Sequence, residues 1–450
     1  MHFLADPQPR PEPGRYRIGH RTGRGIGRGI GHRIGHRIGS GAMRLGAARL
    51  GVACALVGLS LVPAAAFDPQ TPADLTLQAH FTAPQDGGND DTLEDALIAL
   101  VDRVPAGEQL RGAFYSWSRQ RVARAFVRAQ ARGVDVRLVV DSGNVTASGR
   151  EYRAITLLRE GLGDRLTLCG AGPGTGRDED DETDAEGSAT ACIGSGIQHN
   201  KFVLISGLGD GSRDVIWQTS ANPTTPQRRA FNDATVLQGD AALHAALLRY
   251  WQALDAQDPD PARRDSVPGD ARTRAHFFPQ AEGDTIVDIL DRVQCSEGGQ
   301  IHLAMARFTW PRRAVARKLA ELRTGGCRVA AVLREGFSGQ RIRDILGAGG
   351  VELLVFPAGA VHGVHSKYLL IDAPVEGALP GLQPGLQPGL QPGVQPVQMV
   401  VTGSHNYTGP ALRRHDELVL EIADPVLYAT YLDNWHMLRD RVIAAQAAGR

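Results

Sequence analysis

The sequence predicts an α/β protein of two homologous halves, each a β-sheet flanked by helices, and three observations carry that expectation. A short device occurs twice, His199-Asn200-Lys201 and His365-Ser366-Lys367, each opening an apolar stretch, Phe202 to Ile205 and Tyr368 to Ile371. The residues downstream keep register: His199 to Asn222 is 23 residues and His365 to Asn406 is 41, and the difference of 18 is the length of a Gly-Leu-Gln-Pro insert, Leu379 to Pro396, seen only in the second copy. With the insert removed the next acids also coincide, Asp233 falling 11 residues after Asn222 and Glu417 11 after Asn406. The repeat extends upstream as well. Trp117 lies five residues before Val122-Ala123-Arg124 and 16 before Gly133, as Trp310 lies five before Val315-Ala316-Arg317 and 16 before Gly326.

In chain order, residues 1–42 are a low-complexity Arg/Gly/His/Ile tract with too little apolar bulk for a core. A misassigned start codon is the preferred explanation, a nucleic-acid-binding arm the other. Residues 43–66 have the layout of a secretory signal peptide: Met43-Arg44 and Arg49, an apolar run from Leu50 to Val62, then Ala64-Ala65-Ala66 before Phe67. No later segment is long and apolar enough to span a bilayer, so the mature chain is expected to be soluble, secreted or periplasmic. The first half, 67–265, reads as a strand at Leu110 to Tyr115, a helix at Arg119 to Arg132 stopped by Gly133, and a buried strand at Val134 to Val140. Its acidic loop, 171–191, carries seven acids between Asp178 and Glu186 and is expected to be a solvated excursion. The second half, 266–450, repeats the order with Ile301 to Ala306, Arg312 to Arg323, Gly325-Gly326 and Arg328 to Leu333. Its insert, 379–396, is expected to be an extended Pro-rich surface segment. Strands alternating with helices imply sheets covered on both faces.

At 450 residues, 42% hydrophobic and 22% charged, the chain can bury two substantial cores. Its formal charge is zero, but residues 1–66 hold ten arginines against Asp6 and Glu12. The remainder has 49 − 10 = 39 basic and 49 − 2 = 47 acidic residues, a net charge of about −8, which excludes a broadly basic nucleic-acid-binding surface and leaves room only for local patches. Four cysteines follow the signal segment, and in an oxidising compartment an even count suggests disulfides with three possible connectivities. Cys169–Cys192, closing the acidic loop, and Cys295–Cys327, within the second half, are the expected pairs. With no CxxC and no His/Cys cluster, neither a metal nor a cofactor is expected.

On a strand, residues two apart share a face, so each copy points a histidine and a lysine the same way. A phosphodiester is an anion that repels nucleophiles and loses a poor alkoxide, so its cleavage needs cations, a nucleophile and an acid. Lys201 and Lys367, with Asn222, Asn406, Ser220 and Ser404, are the candidates for binding the phosphate. His199 and His365 are the candidates for nucleophile and acid, since one imidazole can be neutral while the other is protonated near pH 7. Asp233 and Glu417 are expected to fix the two imidazoles through their far nitrogens.

The doubled motif, the x4-Asp extension of the second copy to Asp372, the trailing Ser/Gly-Ser-x-Asn and the downstream acids resemble the phospholipase D superfamily of phosphodiesterases, over roughly residues 79 to 440. The resemblance implies two α/β halves packed about a pseudo-twofold axis with both motifs in one site, and His199, Lys201, His365, Lys367 and Asp372 as catalytic residues. It implies that His199 attacks phosphorus to give a phosphohistidine, while His365 protonates the departing alcohol and then activates water or a second alcohol. Symmetry alone gives no reason to prefer one histidine as nucleophile. The pattern departs at Ser206, which stands where the second copy has Asp372. The expected function is a secreted, monomeric phospholipase D that releases phosphatidic acid and a head group at a membrane or micelle surface, with transfer to a competing alcohol. An exported nuclease or other phosphodiesterase is the alternative, with nucleic acid left open as substrate.

Overall fold

A computed structural model describes residues 75–448 apart from 86–87, 146–148, 171–188, 261–265, 270–271, 296–297, 358–362, 378 and 380–393. The low-complexity tract, the expected signal peptide, the acidic run and most of the Gly-Leu-Gln-Pro insert lie outside the described residues. The first half runs β1 (Thr76–Phe81), α1 (Thr92–Asp102), β2 (Gln109–Phe114), α2 (Gln120–Ala131), β3 (Asp135–Asp141), α3 (Arg153–Leu162), β4 (Leu166–Cys169), β5 (Lys201–Gly207), β6 (Arg213–Thr219), β7 (Asp233–Gln238) and α4 (Ala241–Ala256). The second runs β8 (Val267–Pro268), β9 (Thr273–Phe278), α5 (Thr285–Asp291), β10 (Gln300–Met305), α6 (Arg313–Thr324), β11 (Arg328–Arg334), α7 (Gln340–Ala348), β12 (Glu352–Phe356), β13 (Lys367–Glu376), β14 (Val394–Gly403), α8 (Gly409–Arg413), β15 (Glu417–Ala423) and α9 (Pro425–Ala448).

The two sheets have the same strand order. The first is β1-β7-β6-β5-β2-β3-β4; the second, read from its β9 side, is β9-β15-β14-β13-β10-β11-β12 with β8 added at the edge. In each, the three strands at one side are parallel (β2, β3, β4 and β10, β11, β12) and the remaining pairings are antiparallel. The duplication read from motif register is thus a duplication of topology. It reaches single bonds: Trp251 Nε1 on α4 donates to Gly112 O at 2.9 Å, and Trp435 Nε1 on α9 donates to Leu303 O, the matching residue of β10, at 3.0 Å. Gly133 and Gly326, expected to stop the second helix of each half, have φ of 93° and 113°, the left-handed conformation that a side chain resists.

The central strands are apolar on both faces, which is why they read as continuous runs rather than alternating ones. Val203 and Ile205 pack outward beneath α1, α2 and α3, while Phe202 and Leu204 pack inward. On β13, Leu369 and Ile371 pack under α5, α6 and α7, while Tyr368 and Leu370 point inward. The inward faces of both sheets, with α4 and α9, make one shared core between the halves. Each fully buried aliphatic side chain there contributes about 1.5–3 kcal/mol, and this holds the sheets together. Both expected disulfides are present, Cys169–Cys192 and Cys295–Cys327.

Candidate active site

Both His-x-Lys motifs lie at the starts of central strands, at the end of each sheet where the parallel strands finish. Lys201 faces Phe114, the last residue of β2, and Lys367 faces Met305, the last of β10. Because β6 and β14 return antiparallel, the turns bearing Asn222 and Asn406 and the starts of β7 and β15 reach the same end.

The lead-in to each motif is hydrogen-bonded to the opposite half, and this brings the two together. His199 N donates to Asp416 O at 2.9 Å and Asp416 N to Ile197 O at 3.0 Å. Reciprocally, His365 N and Ser366 N donate to Phe231 O at 2.8 and 2.9 Å, and Phe231 N donates to Gly363 O at 3.0 Å. Two buried carboxylates complete the first of these seams. Asp416 accepts the backbone N–H groups of Cys192, Ile193 and Gly194, and Asp141 accepts those of Gly143 and Gln198 with the Thr190 hydroxyl. Burial pushes both up to about 7 even against those donors.

His199 is almost fully enclosed, its ring centroid 5.1 Å from that of Tyr115, and its Nδ1 lies 2.8 Å from Glu417 Oε1. A carboxylate only accepts, so this bond places a proton on Nδ1 and makes Nε2 the lone-pair nitrogen of the ring. The other Glu417 oxygen accepts from Ser404 Oγ. His365 is held differently: its Nδ1 lies 2.8 Å from Asn232 Oδ1. Asn232 Nδ2 donates to Gln227 O at 3.0 Å and Ala230 O at 3.2 Å, which fixes the amide so that Oδ1 must be the acceptor. Gln227 Nε2 lies 3.3 Å from His365 Nε2, and Lys367 Nζ is 3.4 Å from both ring nitrogens. Each lysine is buried and donates back to its own motif, Lys201 to His199 O at 2.7 Å and Lys367 to His365 O at 2.8 Å. An ammonium has three protons, so this bond anchors it without exhausting it.

Asn222 and Asn406 are buried in matching turns, their carbonyls accepting Thr224 N and Thr408 N at 2.8 and 2.9 Å. Asn222 Oδ1 has no hydrogen-bond partner among the described residues. His405 is stacked on Phe278 at 4.1 Å, and its Nε2 accepts from Arg312 Nη1 at 2.7 Å. Burial first, and the Arg312 charge second, hold it well below the usual histidine range and so neutral. Arg312 is in turn paired to Asp284, the N-cap of α5, so the turn carrying Asn406 is pinned to the second half's helical layer.

Four expected roles sit differently from the sequence expectation. Asp233 is buried, but its carboxylate accepts from Thr402 Oγ1 at 2.8 Å and Tyr431 OH at 3.1 Å, and the neighbouring Asn232 is what meets His365. The side-chain period of two puts adjacent residues on opposite faces, so an equal sequence offset does not deliver an equal contact. Asp372 is five residues along β13 from Lys367, about 17 Å by strand rise, where it accepts from Gln398 Nε2 at 3.1 Å. It lies away from the imidazoles. Its counterpart Ser206 donates to Glu108, the residue before β2, and accepts Gln109 N at 2.8 Å, so an acid from elsewhere in the chain meets that position. Ser404 spends its one proton on Glu417, and Ser220 accepts Asp233 N at 2.9 Å while donating within the same strand start. Both serines brace the residues around the histidines instead of facing a phosphate. Asn232, Gln227, Asp141 and Asp416 were missed; of these only Asn232-Asp233 and Asp416-Glu417 left a trace, as paired polar residues at equal offsets. Among the described residues no cluster of three or more His, Cys, Asp or Glu is placed to hold a metal, and no helix is long and apolar enough to cross a membrane.

Residues 290–438 match the family model described as cardiolipin synthase, PLD-like domain. The matched residues lie within the second half, whose strand order the first half repeats. Among solved structures the chain is similar to the phosphatidylserine synthase of Haemophilus influenzae Rd KW20, at 12% identity over 80% of this chain and 86% of that one, with a TM-score of 0.51. It is also similar to polyphosphate kinase from Porphyromonas gingivalis, at 14% identity over 81% of this chain and 50% of that one, TM-score 0.49. The chain therefore spans half the length of that kinase. Nuc from Salmonella typhimurium, described as a phospholipase D family member, is 17% identical over 39% of this chain and 95% of its own, TM-score 0.27. At such identities the first likeness speaks for the fold, and the other two carry no argument. A comparison with curated protein sequences gives no match.

Proposed function

We propose that this chain is an exported phospholipase D, cleaving the distal phosphodiester of glycerophospholipids through a phosphohistidine on His199. The observation that carries the reading is the reciprocal one: two buried imidazoles, each with Nδ1 fixed by the opposite half and a lysine folded against its own motif. Their unlike partners support the division of labour. When Nε2 of His199 bonds to phosphorus the ring becomes cationic, and the Glu417 carboxylate stabilises that charge as it develops. His365 instead faces a neutral amide and the Lys367 ammonium, with no carboxylate on its Nδ1, which suits it to the acid's role. As His199 attacks, the P–O bond to the head group breaks and His365 Nε2–H protonates the leaving oxygen. Water then loses its proton to His365 and attacks phosphorus, breaking the P–N bond and releasing phosphatidic acid. Gln227 can serve both states of Nε2, since its Oε1 has no hydrogen-bond partner among the described residues and sits on the same amide as the Nε2 already there. Two disulfides and a net charge of about −8 beyond residue 66 support export and a lipid substrate over a polyanion.

The test uses bis(p-nitrophenyl) phosphate, whose leaving group departs without an acid. His365→Ala should still release one equivalent of nitrophenol and accumulate a phosphohistidine detectable by mass spectrometry, whereas His199→Ala should do neither. Accumulation in His199→Ala would reverse the roles. Phosphatidylcholine, phosphatidylserine and single-stranded DNA offered in parallel decide the substrate class, and cleavage of DNA alone would defeat the lipid reading.

A further inference from the structure

Arg307 follows directly on the strand that borders the second motif: Ala306 N donates to Ser366 O at 3.1 Å, and Tyr407 N donates to Arg307 O at 3.0 Å. Its backbone is therefore tied to both loops that form the second half's share of the site. Its side chain lies over the Phe337 ring, 5.3 Å from the centroid, and Nε and Nη1 are buried with no hydrogen-bond partner among the described residues. Arg334 lies over the same ring at 4.3 Å. The ring is held by Phe308 N, which donates to Phe337 O at 3.2 Å. Stacking on an aromatic face offsets part of the desolvation of the Arg307 guanidinium but supplies no acceptor for its N–H groups. Leaving the buried Nε and Nη1 donors of Arg307 without a partner is costly, and an anion bound there would offset that cost.

Arg334 also opens into a cavity of about 300 Å³ that it shares with His365, Gln227 and, from the first half, Arg229. The other described lining residues are uncharged, and none is a carboxylate or an aromatic ring. A quaternary ammonium is recognised by aromatic faces or acids; this cavity offers arginines. We propose that Arg307 and Arg334, braced on Phe337, form a second anion subsite beside His365 that selects glycerophospholipids whose head group carries its own negative charge. This rests on the phospholipase D reading above. Two guanidiniums held by one ring fit a single additional phosphate or carboxylate, whereas a polynucleotide needs a basic track along successive phosphates, and the acidic balance beyond residue 66 opposes one.

The experiment compares kcat/KM of the purified full chain on short-chain phosphatidylserine and phosphatidylcholine, both below their micelle concentrations so that surface charge plays no part. Calorimetric binding of glycerophosphoserine and glycerophosphocholine to His199→Ala follows as a readout that needs no turnover. The expected result is a preference of at least tenfold for the serine lipid, reduced about tenfold in Arg307→Gln and in Arg334→Gln, as befits loss of one charge-assisted hydrogen bond, with tighter binding of glycerophosphoserine abolished by adding Arg307→Gln. Phe337→Leu and Arg307→Lys, checked by thermal melting, replace any variant that does not fold; the lysine should restore part of the preference. Equal rates on the two lipids, or a preference that Arg307→Gln and Arg334→Gln leave intact, would overturn the subsite. If neither lipid turns over, the phospholipase reading fails by itself and the binding arm judges the subsite: equal affinity for the two head-group esters overturns it. DNA cleavage that depends on Arg307 would overturn the lipid assignment.

Discussion

His199 is fixed by a carboxylate lent by the second half, His365 by an amide lent by the first, although the two sheets have the same strand order and the two motifs occupy the same place in them. The first half also carries a disulfide-closed segment anchored to Asp416 immediately before its motif, whereas the second half's disulfide joins Cys295 and Cys327, ahead of β10 and β11 and at the far end of the sheet from the histidines. Duplication supplies two equivalent positions. Divergence of the groups behind them gives each imidazole a different partner, a carboxylate for His199 and an amide for His365, and the division of labour proposed above rests on that difference.

The sharpest way to break the comparison is to equalise the partners. Glu417→Gln should lower kcat on the order of 10³-fold, since a neutral partner neither fixes the Nδ1 proton as firmly nor stabilises the phosphorylated ring. Asn232→Asp should cost less than tenfold while moving the alkaline limb of the kcat profile to higher pH, because a carboxylate beside His365 favours its charged form. A loss in Asn232→Asp as large as that in Glu417→Gln would mean that the two partners are interchangeable. Steady-state kinetics across pH decides.

The disulfides separate the halves next. Replacing Cys169 and Cys192 by serine should cost about 2–4 kcal/mol in denaturant unfolding and also reduce kcat, because the Cys192 to Gly194 N–H groups that tie the lead-in of His199 to Asp416 are loosened. Replacing Cys295 and Cys327 should cost comparable stability and leave kcat of the folded protein near wild type.

The buried acids behind the first motif give a pH signature. Asp141 and Asp416 titrate at about 7 when folded, raised by burial, against about 4 in an unfolded chain. The folded state thus binds more protons between those values, and stability contributed by these groups is largest below about pH 4 and falls as pH rises to about 7, by at most ~1.4 kcal/mol per pH unit for each carboxyl. Asp416→Asn should flatten part of that slope in unfolding experiments between pH 4.5 and 7.5. An unchanged slope would mean that Asp416 is ionised throughout.

The smallest effects are expected at the two acids that equal spacing or motif membership had singled out. Asp233→Asn should destabilise by about 1–3 kcal/mol through weaker acceptance of Thr402 and Tyr431, with kcat changed only a few-fold; a hundredfold loss of kcat at unchanged stability would restore it as the partner of His365. Asp372→Asn, bonded to Gln398 far along β13, should shift both rate and stability least.

Much of this protein was legible in the chain. The duplicated register of Trp117 and Trp310, of the two His-x-Lys motifs and of the turns after them reflects a repeated strand order, in which length differences fall in the connections between strands. The apolar runs at Val203 and Leu369 marked central strands because both faces of each sheet are covered. The histidines and lysines were legible because a strand start fixes where their side chains point. Which residue completes each histidine was decided only by the tertiary structure. Those partners cross from the opposite half, 218 residues away for Glu417 and 133 for Asn232, and depend on which face of a strand start meets the seam. A one-residue difference there exchanges a carboxylate for an amide, and no spacing within either half records it.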